Sequence, residues 1–327
     1  MRYRRFGRLA WKVSDVGYGM WGVAGGEGGW TGSSASAGME ALHHAIANGC
    51  NFFDTAWIYG RGESERMLGS ALRDHPEKKL YVATKVPPKN REWPSRRGDR
   101  IEDIFPAAHI HEYVGRSLEC LGTDSIDLLQ FHVWEDAWAG EESWQRAVED
   151  LKRQGMIGGV GISVNRWEPA NVLDTLRTGL IDSVQVIYNI FDQAPEDQLF
   201  PLCRELDIGV IARVPFDEGS LTGMLRETTS WPEGDWRASY FVPENLAPTV
   251  ARVEALRTAL PADANMARIA LRFILASDSV ATVIPGMRSV AHVDANLACS
   301  GAVPLDPRIL DMLRRHRWDR EPTWWSQ

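Results

Sequence analysis

Two hydrophobic periods alternate along the chain from residue 36 onward. Short, mostly apolar runs recur at 51–54, 80–85, 126–132, 158–163, 183–187, 208–213 and 280–284, the pattern of strands buried on both faces of a parallel sheet. Between them the apolar residues take helical spacing. Val114, Leu118 and Leu121 fall at i, i+4, i+7, and Trp144, Val148 and Leu151 repeat it. Leu199, Leu202, Cys203 and Leu206 fall at i, i+3, i+4, i+7, which marks one-sided helices covering a sheet. A first strand around Val16 to Met20 brings the strands to eight, and the last helix of the ring falls at 290–299. Eight such units close into a (β/α)8 barrel of the TIM type.

The segment before Val16 has Tyr3 to Phe6, then Lys12 and Val13, with Gly7 at the turn. It is expected to form a small hairpin plugging the barrel bottom. Three stretches exceed ordinary loop lengths: 133–141, 214–248 and the tail after Arg314. Long ordered loops of this kind commonly cover binding sites. Glycines crowd the first strand and its loop, at Gly17, Gly19, Gly22, Gly25, Gly26, Gly28 and Gly29, where a backbone turns sharply or approaches a ligand. No linker or change of composition divides residues 1–327, so they read as a single barrel domain.

Composition narrows the function. A net charge of −8 argues against nucleic acid as the main partner, because like charge repels a polyphosphate. Cys50, Cys120, Cys203 and Cys299 are far apart and form neither a C-x-x-C pair nor a metal-ligand cluster, so reduced thiols and no metal are expected. No run approaches the ~18 apolar residues of a membrane helix, and no apolar core follows the Arg-rich start, so a cytoplasmic, membrane-free protein is expected. Fourteen tryptophans are unusual; Trp21, Trp30, Trp93, Trp134, Trp138, Trp231 and Trp236 fall in loop-like segments. They either pack those loops down or wall an apolar pocket.

The strand ends of a parallel barrel share the face that carries chemistry. Asp54, Lys85 and His132 end the second, third and fourth strands, and Tyr59 follows Asp54 in the next loop. Singly, an Asp there often caps a turn, a Lys is often a solvated end and a lone His in an apolar strand is usually a bonded core residue. Together they suit carbonyl reduction, in which hydride addition creates an alkoxide that needs a proton. Tyr59 supplies it, and a nearby Lys85 ammonium eases the loss. Asp54 holds the charge on Lys85, and a neutral His132 orients the carbonyl.

Gly49-Cys50-Asn51-Phe52-Phe53-Asp54-Thr55-Ala56-Trp57-Ile58-Tyr59-Gly60, then Gly62-Glu63-Ser64-Glu65, Ala83-Thr84-Lys85 and Asp127-Leu128-Leu129-Gln130-Phe131-His132 resemble the signatures of the aldo-keto reductase family. The likeness runs from Gly19-Met20-Trp21 to Ile284-Pro285-Gly286. It implies a catalytic tetrad of Asp54, Tyr59, Lys85 and His132 and a nicotinamide cofactor, NADPH in preference to NADH. By the same resemblance Ser163 and Gln185 hold the carboxamide; Val164 stands where the family has Asn, with Asn165 one place later. Arg213 stands where an aromatic commonly stacks on nicotinamide, and a guanidinium can also stack on that ring.

Phe216, Ser220 and Leu221 belong to a segment, 216–223, similar to the one that covers the pyrophosphate in that family. Gly286, Arg288, His292 and Asn296 fall where it binds the adenosine half, with Arg288 suited to a 2′-phosphate. Gly19, Met20, Trp21 and Asp54 complete the implied cofactor contacts. Trp21, Trp57 and Trp134 are expected to line the pocket for a small carbonyl substrate, with Trp318, Trp324 and Trp325 of the tail as further candidates. The tail is equally suited to a contact between copies of the chain. Gly17 to Gly22 has G-x-G-x-x-G spacing but begins within the first strand, and no such motif follows that strand in a βαβ unit, so the Rossmann mode is not expected. The same resemblance leaves open a cofactor-sensing subunit of the channel-associated β type, and the same Tyr and Lys could serve a sugar isomerase or lyase.

Overall fold

The computed structural model describes residues 1–23 and 34–326; Gly25, Gly26, Gly28, Gly29 and Trp30 of the first loop lie outside them. β1 (Tyr3–Phe6) and β2 (Trp11–Ser14) form the expected hairpin, antiparallel with Tyr3 opposite Ser14. Eight parallel strands follow: β3 (Tyr18–Gly19), β4 (Phe52–Asp54), β5 (Tyr81–Val86), β6 (Ile126–Phe131), β7 (Ile157–Ser163), β8 (Ser183–Ile187), β9 (Gly209–Arg213) and β10 (Thr282–Val283). Each pairs with the next in order. Parallel bridges from Val16 to Val283 and from Gly19 to Gly286 join the last strand to the first, so the sheet closes and leaves no free edge.

Phe6 and Val13, with Leu9 and Trp11 beside them, pack on Phe52, Tyr81, Ala83, Leu128, Ile211 and Ala281 beneath the strands. The hairpin therefore seals the bottom. Its turn needs Gly7: a Cβ there would lie 2.3 Å from the Gly209 backbone nitrogen, and φ is +45°. No side chain fits that approach.

The helices over 107–121, 142–153 and 199–205 carry the spaced apolar residues and bury them, except that Leu118 is half-buried and Leu206, also half-buried, stands just past the end of the third. One expectation fails. The stretch 214–248 is not loop throughout, because helices run over Trp236–Tyr240 and Pro243–Ala259. Pro248, the end of that stretch, lies within the second of these, past its first turn, where its missing N–H forfeits one ladder bond. Among the described residues, no helix is long and apolar enough to cross a membrane.

Candidate functional site

β4, β5 and β6 end side by side, and their register sets the site. Asp54 pairs with Ala83, and Lys85 with Gln130. Lys85 Nζ donates to Asp54 Oδ2 at 2.7 Å, to the Thr55 carbonyl at 2.8 Å and to the Tyr59 hydroxyl at 3.4 Å. The ammonium and carboxylate are sealed, with side chains 0% and 4% exposed, whereas Tyr59 and His132 are partly exposed at the mouth. The Tyr59 ring meets His132 edge-on at 5.9 Å. The four residues that the sequence separates by up to 78 positions are thus one cluster.

The electrostatics follow from that packing. Burial works against the Lys85 charge, but Asp54 and Tyr59 outweigh it and hold the ammonium above its ordinary pKa. Burial raises the Tyr59 phenol, and Lys85 opposes the rise. Burial, then Lys85 and Arg213, keep the His132 imidazole well below its usual range, so the ring is neutral at neutral pH. Asp54 Oδ1 accepts from Gln185 Nε2 at 2.6 Å and from Gln130 Nε2 at 3.1 Å. These two amides fix the carboxylate and leave its other oxygen to Lys85.

A nicotinamide dinucleotide suits the residues around this corner. Ser163 and Gln185 are register partners, and the Gln185 amide nitrogen, spent on Asp54, leaves its carbonyl oxygen as the available acceptor. Two buried polar atoms on the same face, His132 Nδ1 and Arg213 Nε, have no partner among the described residues; a bound ligand is the ordinary answer to such atoms. Arg213 donates from Nη2 to the Val164 carbonyl at 3.0 Å, and burial, followed by the nearby Arg166, pushes its guanidinium down to about 10. In the segment after β9, the Phe216 carbonyl accepts from the Gly219 and Leu221 amides at 2.9 and 3.0 Å. Ser220 Oγ donates to Asp217, and Met20, Ser220 and Leu221 are fully buried, so none of the three presents a side chain at the surface. Gly286 is exposed, with open space where a Cβ would stand. Arg288 passes beside Gly22, whose Cβ would lie 3.2 Å from Arg288 Cδ. Burial and then Arg237 lower the Arg288 guanidinium, and burial and then Arg288 lower the His292 imidazole. Asn296 is buried on the following helix.

Three expected residues sit elsewhere. Trp134 has no exposed surface; it packs among Phe131, Trp138 and Trp144 and donates from Nε1 to Thr175 Oγ1 at 2.8 Å. It is core, not pocket, because the loop after β6 folds inward onto the helix 142–153. Asn165 is drawn into a turn: Val164 extends the strand ladder by donating to the Gln185 carbonyl at 2.9 Å. The Asn165 amide then goes to the Trp134 carbonyl at 2.9 Å and Ser95 Oγ at 3.0 Å, which removes it from the carboxamide. Trp57 turns to the helix 107–121, edge-on to Tyr113 at 4.9 Å and beneath Arg91 and Arg116. Trp21 does stand at the mouth, edge-on to Trp236 at 5.6 Å. The tail folds back on its own barrel, where Trp318 lies beside Phe191 and Trp325 meets Trp167 and Tyr240; Trp324 remains 72% exposed.

A family model described as the aldo/keto reductase family matches residues 15–317. The chain belongs to that family. Among curated relatives, an uncharacterized oxidoreductase of Bacillus subtilis is 30% identical over 320 residues, covering 97% of this chain and 96% of that one. The NADH-specific methylglyoxal reductase of Escherichia coli is 28% identical over 298 residues, covering 88% of this chain and 89% of the other. The holo form of an aldo-keto reductase of Bacillus halodurans superposes with a TM-score of 0.77 at 28% identity, covering 100% of both chains. This aldo-keto reductase is accordingly an NAD(P)H-dependent oxidoreductase acting on carbonyl groups.

Sequence reasoning passed over two members of the site. Gln130 steadies Asp54, and its signal was an amide inside an otherwise apolar strand, in register with Lys85. Trp93 meets His132 edge-on at 5.6 Å. It was visible only as one loop tryptophan among several, because the fold of its loop is not written in any local pattern.

Proposed function

We propose that this aldo-keto reductase reduces an aldehyde or ketone to an alcohol with NADPH, Tyr59 giving the proton. One observation carries the reading: a sealed ammonium, Lys85, touches both a carboxylate and a partly exposed phenol. Nicotinamide bound at the mouth supplies the hydride. As the carbonyl carbon accepts it, the oxygen gains charge and takes the Tyr59 hydroxyl proton. The phenolate left behind lies against Lys85, which stabilises it in surroundings where water competes poorly. Asp54, held by Gln130 and Gln185, keeps the Lys85 proton in place through the step. Neutral His132 orients the carbonyl oxygen towards Tyr59, and proton return to Tyr59 from water completes the cycle.

Arg288, with Arg237 close enough to depress its pKa, favours a 2′-phosphate and so NADPH. Relatives carry names of both kinds, NADH-specific and NADP(+). Trp21, Trp93 and Trp236 give the mouth apolar walls, which fit a small or flat carbonyl compound. NADPH consumption with a panel of aldehydes, ketones and methylglyoxal tests the reading. Turnover with at least one is expected, and Tyr59→Phe should lower kcat by ~10³-fold while leaving NADPH binding intact. No turnover with any compound, and no difference in Tyr59→Phe, would end it.

A further inference from the structure

We propose that Arg320, carried on the C-terminal tail, is a positioning residue for the segment 216–223 and through it for dinucleotide binding. The inference rests on the reading that this segment covers the dinucleotide. Arg320 is 3% exposed at its side chain and is the point where three loops meet. Its Nε donates to Asp192 Oδ1 at 3.0 Å, and its Nη2 reaches Asp192 Oδ2 as well, which ties the loop after β8. The same Nη2 donates to Asp217 Oδ1 at 2.7 Å, which ties the loop after β9. The guanidinium lies 4.6 Å from the ring centre of Trp167, in the loop after β7, and 4.7 Å from that of Trp318.

The segment needs an external hold. Val214, Asp217 and Glu218 have φ of +55°, +46° and +54°, a region that non-glycine residues, above all a β-branched one, rarely occupy. Such residues persist only where their surroundings over-determine them. Glu218 is held by Arg166 at 2.6 Å and Asp217 by Arg320 at 2.7 Å, so two ion pairs pin adjacent strained residues. Asp217 passes the constraint on, because its Oδ2 accepts from Ser220 Oγ at 2.7 Å. Asn189, which donates to Asp192 at 2.8 Å, also donates to the Val214 carbonyl at 3.1 Å. Without the Arg320 fork, two buried carboxylates would face each other with no cation between them, and the backbone that presents residues 216–223 would relax. The tail has other anchors: Arg317 pairs with Asp197, and the Trp318 amide donates to the Phe191 carbonyl at 2.8 Å. Altering Arg320 alone therefore leaves the tail docked.

The test compares Arg320→Lys and Asp217→Asn with wild type by hydrogen exchange and by NADPH titration of protein fluorescence. Lys keeps the charge and loses the fork. Both variants should exchange the amides of 214–223 about tenfold faster, with β4–β6 unchanged, and should raise the NADPH dissociation constant and KM about tenfold while kcat at saturating NADPH holds within about twofold. A destabilised barrel would instead speed exchange everywhere and lower kcat. If wild type binds NADPH and both variants match it in exchange and affinity, the inference is overturned and the dinucleotide reading survives. If wild type binds no dinucleotide, that reading fails and takes the inference with it. Should Arg320→Lys not fold, Asp217→Asn decides by the same two measurements.

Discussion

Two buried clusters of charge share the barrel mouth and are finished differently. At the ends of β4–β6 one ammonium meets one carboxylate, and the phenol and imidazole beside it remain partly exposed, with His132 Nδ1 unpartnered among the described residues. Across the loops after β7, β8 and β9, Arg320 and Arg166 meet Asp192, Asp217 and Glu218 beneath the rings of Trp167, Trp236, Tyr240 and Trp318. Removing ions from water costs several kcal/mol each, and only close pairing offsets it. The second cluster spends its charge on holding loops. The first keeps hydrogen-bonding capacity turned towards the mouth, where a reacting molecule can meet it. Burial and charge alone do not separate chemistry from scaffold, and neither do unpartnered atoms, since Arg166 Nη1 and Trp167 Nε1 of the second cluster are also buried without a partner among the described residues; a phenol and an imidazole partly exposed at the mouth do.

The sharpest way to break that contrast is Lys85→Met. It leaves Asp54 buried without a cation and Tyr59 without the neighbour that opposes its raised pKa, so carbonyl reduction should fall by ~10³–10⁴-fold. Steady-state rates on a folded sample check this, and a loss of only a few-fold would place the proton donor elsewhere. Next in size is Trp134→Ala. As a core ring it should cost roughly 3–5 kcal/mol in a urea titration, whereas Trp93→Leu should barely shift the midpoint and should raise KM for the carbonyl substrate. The reverse outcome would return Trp134 to the pocket.

The smallest effect concerns acid. His132 is held below its usual pKa in the folded state, so the stability its neutral ring contributes is present above the unfolded value of about 6.5 and is lost as pH falls below it. His132→Gln should flatten that part of the stability–pH curve relative to wild type. Urea midpoints at about pH 8 and about pH 5 measure it, and parallel curves would show that the imidazole titrates freely.

The catalytic corner was legible in the sequence because Asp54, Lys85 and His132 sit at the ends of short apolar runs, with Tyr59 in the loop after the first of them, and eight such runs dictate a closed barrel whose strand ends converge. β8 coincides with the run 183–187, and β6 and β7 shift by one residue at one end. The Arg320 cluster was not legible, since its members lie in four irregular segments of the chain and no period links them. Trp134 misled for a related reason: a loop-like sequence folds inward when its rings find Phe131 and Trp144. Asn165 shows the limit of motif transfer, because a one-residue offset after Ser163 sent its amide to the Trp134 carbonyl.

The hairpin beneath β3–β10, with Gly7 pressed against Gly209, stops the lower end of a barrel whose inside is filled with side chains. A small molecule therefore reaches Tyr59 from the strand-end loops, and changes to those loops, not to the floor, govern which guests enter.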